Sequence, residues 1–352
     1  MDARLLQDRL AIADRIQAGK EHLAHEVNDE FFLQHPDWKK RYGERGIRHG
    51  FDDACFHIDF LTAAIAAGHV SAFVGCADWA RRMLESRGIA SSFLAENILQ
   101  VGNAAAKILS PRDQKYLASF VDAALAACRE PLPPFASPEE AVMVFVQALL
   151  AGNRIAALNI AQESLRNGET VTDVYFNLLQ PAMYEIGRLW ETNQTTVARE
   201  HMATAITQFV MAHLFPLVNP PDIANRGVAV VAGVEGELHQ IGAMMVSDIL
   251  EADGWLVRFL GSNMPHAGIL DVVKVEQATL LCISDTILFN VPRVVGLINA
   301  VRTKFPDIKI LVGGAAFKAV EGLWKEVGAD AFAHDLVEAR SVAREFCEQA
   351  IL

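Results

Sequence analysis

The chain has 352 residues, of which 52% are apolar, as expected for a folded protein of two or three domains rather than a disordered one. A formal net charge of −12 at pH 7 argues against a surface that binds nucleic acid or anionic lipid. The five cysteines have no CxxC spacing, which fits a reducing compartment and gives no zinc signature. The charged amino-terminal sequence MDARLLQDRLAIADRI cannot act as a secretory signal. We therefore expect a soluble, cytoplasmic protein.

The first 130 residues are predicted to form a helical domain. Apolar residues recur there at three- and four-residue spacing, which is the period of a buried helix face. The run from Phe60 to Ala77 carries no charge, but Gly68 and His69 interrupt it. This predicts two buried helices rather than a membrane span. The proline-rich sequence PLPPFASP, residues 131–138, ends the domain.

A second helical segment is predicted over residues 137–216. It starts at SPEEAVMVF, with Ser137 or a neighbour as N-cap and Glu139 and Glu140 in the first turn. The helical pattern runs to about Leu214. The sequence NPPDIAN, residues 219–225, is then predicted to be a linker. Residues 137–216 are therefore predicted to form a helical bundle.

From residue 226 to residue 352 the pattern changes to strands and helices in alternation. The β-type runs are GVAVVAG, WLVRFLG, TLLCIS, KILVGGAA and DAFAH, and the helical stretches include VPRVVGLINAVRTKF and AVEGLWKEVG. Five alternating units in about 125 residues predict a doubly wound, flavodoxin-like parallel sheet. The fold class is therefore multidomain, with two all-α segments before a Rossmann-type α/β domain. Ligands of such sheets bind outside the carboxyl ends of the strands, where residues 237–242 fall.

A single histidine, His239, stands where such sheets often have a phosphate-binding glycine loop. A lone histidine at a helix start is more often a capping or packing residue than a ligand. Glu237, two residues earlier, can accept a proton from one ring nitrogen and fix the tautomer, as carboxylates beside metal-bound imidazoles do. Gly242 removes a side chain where a bulky group could approach. The pattern thus favours a metal-binding imidazole.

Small residues follow the next two strands of the predicted sheet. Ser284 and Thr286 end the third strand, and Gly313 and Gly314 end the fourth. Each pair alone could be a helix cap or an ordinary turn. Together, on one rim of the sheet, they indicate a slot for a large ligand that carries both a metal and a long tail.

The combination ExHxxG (Glu237, His239, Gly242), SxT and GG resembles the cobalamin-binding module of methionine synthase and related proteins. The resemblance implies that His239 replaces the vitamin's benzimidazole as the lower axial ligand of cobalt. It also implies that the displaced nucleotide tail enters the slot lined by the serine and the glycines. Many family members have Asp at the position of Glu237. The cofactor-binding residues implied here are Glu237, Leu238, Gln240, Ile241, Gly242, Ser284, Thr286, Gly313 and Gly314.

The helical bundle contains Trp190 and, after nine residues, Glu200 and His201. Alone, these could be core and capping residues. The pattern W-x9-EH resembles the cap of light-sensing cobalamin-dependent repressors, which implies that the three residues surround an adenosyl group and that the cofactor is adenosylcobalamin. Those repressors have a histidine directly after the tryptophan, where this chain has Glu191, so the ligand after photolysis stays open. No winged-helix reader is recognisable, and we expect no DNA binding.

A cationic cluster with interleaved aromatic residues occupies part of the first domain. Its members are Lys39, Lys40, Arg41, Arg45, Arg48 and His49, with Trp38 and Tyr42, followed by His57 and Phe60. Such a charge run is usually a solvated surface. The alternative is a pocket for a flat conjugated molecule with carboxylates, in which Arg41, Arg48 and His57 make the contacts. Haem with His57 as axial ligand fits this description, and so does a linear tetrapyrrole.

The order of the three segments resembles photocobilins, light receptors that bind cobalamin and biliverdin. The resemblance implies a non-enzymatic photoreceptor that holds biliverdin non-covalently through Arg41, Arg48 and His57. It also implies that light breaks the cobalt–carbon bond and changes the association of a homo-oligomer, with an effector protein as a candidate partner. Two alternatives stay open: a corrinoid carrier protein of a methyltransferase system, and a haem-binding sensor.

Overall fold

The computed structural model describes residues 6–218 and 226–349. Contacts divide the chain into two compact units. The first unit is Met1–Pro133 with the short segment Ile287–Pro292, and the second is Pro134–Thr286 with Arg293–Leu352. The predicted linker NPPDIAN lies outside the described residues, as do the first five residues of the amino-terminal sequence.

The described part of the first unit is helical, as predicted. Its long helices are α1 (Leu6–Ala18), α2 (Lys20–Gln34), α3 (Pro36–Ala67), α4 (Val70–Ser86), α5 (Ser91–Lys107) and α6 (Pro111–Ala127). Gly68 ends α3 with a left-handed backbone (φ 74°), so the uncharged run from Phe60 onward is split between two helices. In the described ranges, no helix joins the length and the apolar composition that a bilayer crossing requires.

The second unit begins with the helical bundle. Its elements are α7 (Glu140–Leu150), α8 (Arg154–Arg166), α9 (Val171–Val174), a π-helical turn (Tyr175–Leu179), α10 (Gln180–Glu191), α11 (Val197–Leu214) and a 3-10 turn (Phe215–Leu217). The predicted end at Leu214 is confirmed. The N-cap at Ser137 is wrong, because Glu139 keeps an extended backbone (ψ 154°) and is itself the N-cap of α7. Only Glu140 of the two acidic residues therefore lies in the first turn.

A five-stranded parallel sheet follows in the second unit. The strands are β1 (Val228–Gly233), β2 (Leu256–Phe259), β3 (Leu280–Ser284), β4 (Lys309–Gly313) and β5 (Ala331–Ala333), in the order β2-β1-β3-β4-β5. All five predicted strands are confirmed, and this order is the flavodoxin-like one. The buried strands are almost wholly apolar because helices cover both faces of a parallel sheet.

Six helices of the α/β domain are found among its described residues. They are α12 (Ile241–Ala252), α13 (His266–Val275), α14 (Val291–Lys304), α15 (Ala315–Ala319), α16 (Leu323–Glu326) and α17 (Leu336–Gln349). The stretch AVEGLWKEVG forms only the short helix α16. Gly322 adopts a left-handed backbone (φ 78°) directly before it, and this conformation ends the turn that precedes α16.

One apolar cluster joins the helical bundle to the α/β domain. It contains bundle residues such as Phe145 and Leu179 together with Met245 and Ile249 of α12 and Leu336 of α17. The bundle therefore packs on the helix that directly follows the loop after β1. Burial of this apolar area stabilises the packing of the bundle on the α/β domain.

Candidate functional site

The carboxyl ends of three neighbouring strands meet at one rim of the sheet. In the parallel register, Gly233 of β1 pairs with Ser284 of β3, and Ser284 pairs with Gly313 of β4. The strand order reverses between β1 and β3, which makes this point the crevice where α/β sheets bind ligands. The predicted common rim is therefore present.

Glu237 ties together the loops that follow β1 and β3. Its side chain is fully buried. One carboxylate oxygen accepts the His239 backbone N–H at 2.6 Å and faces Nδ1 of the same residue at 2.7 Å. The other oxygen accepts the backbone N–H of Thr286. A single carboxylate thus fixes the position of His239 relative to the end of β3.

These contacts set the charge states of Glu237 and His239. Burial opposes ionisation of Glu237, but the hydrogen bonds from His239 and from the Thr286 backbone outweigh it and lower the pKa of the carboxyl. The hydrogen bond to Glu237 raises the pKa of His239, burial opposes the rise, and the charges of Glu237 and Glu200 add to it. Glu200, on α11, therefore lies within electrostatic reach of His239.

The ring of His239 presents one nitrogen outward. With Nδ1–H donating to the Glu237 carboxylate, the neutral imidazole keeps its lone pair on Nε2. The His239 side chain is 57% exposed, and its neighbour Leu238 is 71% exposed. The Nε2 lone pair of such an imidazole can coordinate a metal that is part of a large ligand. The exposed apolar side chain of Leu238 can contact the apolar part of that ligand.

The first turn of α12 is open next to this loop. Gln240 is the N-cap of α12, and Ile241 and Gly242 are its first residues. A Cβ atom built on Gly242 would have no heavy atom within 4 Å. The Cβ position of Gly242 therefore faces open space.

The predicted residues at the ends of β3 and β4 differ in their contacts. Ser284 and Thr286 are half-buried at the rim, but Thr286 makes its described contact through the backbone N–H rather than the hydroxyl. Gly314 has φ 102°, and a Cβ atom there would lie 2.2 Å from the Asp285 backbone oxygen. Close packing of two backbones thus already requires a glycine at 314, whereas Gly313 faces only an ordinary contact.

The three predicted cap residues lie on consecutive helices of the bundle. Trp190 is half-buried near the end of α10, Glu200 lies in the first turn of α11, and His201 directly follows it. Glu200 Oε2 lies 2.6 Å from His201 Nδ1, and Thr204 donates to the other oxygen. The acid–histidine pair is thus held together, with the His201 side chain 74% exposed.

The predicted bilin contacts in the first unit do not share one environment. Arg41 and Arg48 are exposed, and Arg41 stacks on the Tyr42 ring at 5.2 Å. His57 is only 7% exposed, and its Nδ1 lies 2.7 Å from Asn97 Oδ1. Among the contacts of the described residues, none joins either arginine to His57. The arginines therefore match the solvated-surface interpretation, and His57 matches a core position.

Two contacts involve residues that the sequence patterns did not identify. Asn263, with a positive φ of 57° after β2, accepts the Gly236 N–H at 2.9 Å and shapes the loop before Glu237. Asn97 is the unforeseen partner of His57. A positive-φ Asn in the sequence GSN is a weak turn signal, whereas Asn97 lies 40 residues from His57 and carries no local signal.

Family models match most of the second unit. Residues 144–215 and residues 227–340 each match a model described as a B12 binding domain. The matched ranges include most of the bundle, with Trp190, and the whole Glu237–Gly242 loop. They identify these two segments as B12-binding domains and support the predicted binding of a corrinoid.

Individual relatives cover little more than half of the chain. Dimethylamine corrinoid protein 1 of Methanosarcina mazei is 27% identical over 215 residues, which is 59% of this chain and 97% of that protein. Monomethylamine corrinoid protein 1 of Methanosarcina acetivorans is 24% identical over 204 residues, 56% of this chain and 92% of that protein. The solved monomethylamine corrinoid protein of Methanosarcina barkeri shares the fold, with a TM-score of 0.51, 23% identity, and coverage of 57% and 95%.

Proposed function

We propose that the second unit binds a corrinoid with His239 Nε2 in place of the nucleotide base on cobalt. The carboxylate of Glu237, held by three donors, is the observation that carries this proposal, because it orients the imidazole and leaves one nitrogen outward. Among the described residues, no three His, Cys, Asp or Glu side chains converge into a metal site of their own. A macrocycle brings four nitrogen donors with its metal, so one protein ligand suffices.

The residues around His239 fit such a ligand. Gly242 faces open space on one side of the loop, and Leu238 offers an exposed apolar surface beside the imidazole. We propose that the nucleotide tail enters between α12 and the ends of β3 and β4, past Ser284 and Gly313. Trp190 and Glu200 would then approach the opposite face of the ring from the bundle.

We propose that the chain works as a corrinoid carrier in a methyl-transfer system rather than as an enzyme itself. A bound corrinoid supplies a cobalt centre that accepts and releases an alkyl group. The names of the similar methylamine corrinoid proteins favour this function. In this proposal His239 holds the cobalt, Glu237 keeps its tautomer, and partner proteins that deliver and remove the methyl group dock on the bundle side.

A light-sensing function is the second candidate, and the additional length of the chain favours it. A relative matched over 97% of its own length accounts for only 59% of this chain. The carrier proposal gives the first unit no role, whereas a photoreceptor uses a second chromophore there. In this candidate adenosylcobalamin is the bound form, Trp190 and Glu200 with His201 enclose the adenosyl group, and light changes the association of the subunits.

Biliverdin binding belongs to this second candidate. It would place the bilin near His57, whose buried ring lies 2.7 Å from Asn97 Oδ1. Arg41 and Arg48 would have to move from solvent to reach the carboxylates of a bilin. Adding biliverdin to the full chain should give broad red absorption, whereas a sharp Soret band with haem would favour the haem-sensor alternative.

One experiment separates the carrier from the sensor. The full chain is loaded with methylcobalamin or with adenosylcobalamin and followed by absorption and size-exclusion chromatography in darkness and after green light. A carrier transfers its methyl group to a thiol acceptor with a partner present, in darkness, and keeps one association state. A sensor prefers the adenosyl form and changes its association state after illumination. Equal affinity for methylcobalamin and adenosylcobalamin, with no change of the association state after illumination, would exclude the light-sensing function.

A further inference from the structure

A buried hydrogen bond crosses from the helical bundle to the α/β domain. The hydroxyl of Tyr175, the first residue of the π-helical turn, donates to Asp248 Oδ2 on α12 at 2.7 Å. Tyr175 is fully buried and Asp248 is 8% exposed. The two residues stand 73 positions apart, so this bond exists only while the bundle is packed on α12.

The surroundings of this bond are apolar on one side and open on the other. Met245 and Ile249, on the same helix as Asp248, belong to the apolar cluster shared with the bundle. Beside the carboxylate lies a groove of about 270 Å³, lined by Ala212, Phe215, Met244, Ser247, Asp248, Glu251, Val257 and Phe259. Water can therefore reach Asp248 from the groove once the bond to Tyr175 breaks.

Two polar contacts between the bundle and the α/β domain lie nearer the surface than this bond. Lys318 Nζ stands 6.0 Å from the centre of the Tyr184 ring, which is 62% exposed. Asp173 and Arg340 attract each other, and Asp173 is only half-buried. Solvent weakens such contacts, whereas a buried hydrogen bond to a carboxylate is stronger and costs more to leave unmade.

We propose that the bond between Tyr175 and Asp248 is a latch that keeps the helical bundle closed on the α/β domain. Helix α12 begins at Ile241, two residues after His239, so the same helix carries the latch and ends the loop of the proposed cobalt ligand. A partner or a light-driven change that acts on the bundle must break the latch to uncover the corrinoid. The role of the latch in uncovering a corrinoid rests on the proposed function. The hydrogen bond between Tyr175 and Asp248 does not, because it can be tested in the protein without a corrinoid.

Burial of the Asp248 carboxyl, rather than the bond from Tyr175, makes closure of the bundle sensitive to protons. Burial raises the pKa of Asp248 to about 6 from its ordinary value of 3.8, the bond from Tyr175 opposes the rise, and the charge of Glu251 adds to it. Ala212 and Phe215 from the bundle side, and Val257 and Phe259 from β2, face the groove without charge. Because the closed state holds the proton more tightly than an open, hydrated carboxyl would, closure is favoured at low pH and loses support as pH rises through 6.

Hydrogen–deuterium exchange on the full chain tests the latch, with and without hydroxocobalamin. In Tyr175→Phe, the amides of α12 and of the π-helical turn should exchange about tenfold faster, the equivalent of one buried hydrogen bond to a charged group. Ser247→Ala is the matched control, because the hydrogen bond described for its buried hydroxyl stays within α12, to the Ala243 backbone oxygen. The control should change these rates by less than about twofold, because the higher helix propensity of alanine offsets the loss of a bond within the helix.

A second variant keeps the test decisive if Tyr175→Phe fails to fold. Asp248→Asn retains an oxygen for the tyrosine hydroxyl but cannot ionise. After correction for intrinsic exchange, opening in the unmodified chain should rise roughly tenfold from pH 5 to pH 7, and the Asn variant should lose this rise. Equal rates in Tyr175→Phe and Ser247→Ala, or the same pH slope in Asp248→Asn, would overturn the latch. Failure of cobalamin binding with the latch intact would instead count against the proposed function.

Discussion

His239 and His57 are held in the same way, but their environments differ. In each ring Nδ1 lies 2.7 Å from a side-chain oxygen, of Glu237 in one case and of Asn97 in the other. The pKa of His239 is raised by its carboxylate partner, whereas burial lowers the pKa of His57 against the effects of Asn97 and Asp53. His239 is more than half exposed and His57 is in the core. A hydrogen bond to Nδ1 is therefore not enough to identify a metal ligand, and the partner's charge and the ring's exposure decide.

The largest effect should come from removing the imidazole that we assign to cobalt. His239→Ala should weaken cobalamin binding by about a hundredfold or more, since even the partners of metal ligands contribute ten- to hundredfold. The remaining bound vitamin should keep its own base on cobalt, which a titration followed by absorption spectroscopy detects. His57→Gln is the comparison variant and should leave both the affinity and the base-off spectrum unchanged. Equal losses in the two variants would erase the distinction between the histidines.

The second-largest effect should come from removing the negative charge of Glu237, the hydrogen-bond partner of His239. Glu237→Gln keeps a side-chain oxygen but makes the partner of His239 resemble that of His57. The affinity for cobalamin should fall about ten- to hundredfold because the imidazole becomes less basic and less firmly oriented. Isothermal titration calorimetry measures the change, and Glu237→Asp, the residue common in the resembling family, should restore part of it. An unchanged affinity in Glu237→Gln would show that the carboxylate charge has no role.

Asn97→Ala tests whether the hydrogen bond to His57 has a structural role in the first unit. It leaves Nδ1 of His57 without its described partner inside the first unit, and such a loss costs about 1–3 kcal/mol of stability. Thermal unfolding should show a lower midpoint, while cobalamin affinity stays within about twofold of that of the unmodified chain. A large loss of cobalamin affinity in this variant would mean that the two regions are coupled.

The smallest effect is expected at Gly242. An alanine there meets no neighbouring atom and improves helix propensity by up to about 1 kcal/mol, so the apoprotein should be as stable or slightly more stable. The new methyl group would occupy the proposed tail slot and weaken cobalamin binding severalfold. Measurements of the melting temperature and of the cobalamin affinity of the same variant check both the unchanged or higher stability and the weaker binding. Tighter binding in Gly242→Ala would place the tail elsewhere.

The sequence predicts the sheet well because buried parallel strands are short apolar runs with little ambiguity. It also predicts that Glu237 meets His239, since the two residues share one loop. It does not reveal that Thr286 binds Glu237 through its backbone, because every non-proline residue carries that N–H group. The contacts of Tyr175 with Asp248 and of His57 with Asn97 depend on packing between distant segments. Such contacts have no local pattern, and the predicted grouping of Arg41 and Arg48 with His57 lacks support for the same reason.

The central claim is that a nitrogen of His239 binds cobalt, and electron paramagnetic resonance of the Co(II) form tests it directly. The full chain is labelled with ¹⁵N-histidine and loaded with unlabelled cobalamin. Coordination by His239 predicts that each cobalt line splits into a doublet from ¹⁵N instead of the triplet from ¹⁴N, and that His239→Ala lacks the doublet. A triplet that persists in the labelled protein would show that the vitamin's own base stays on cobalt, and would contradict the account.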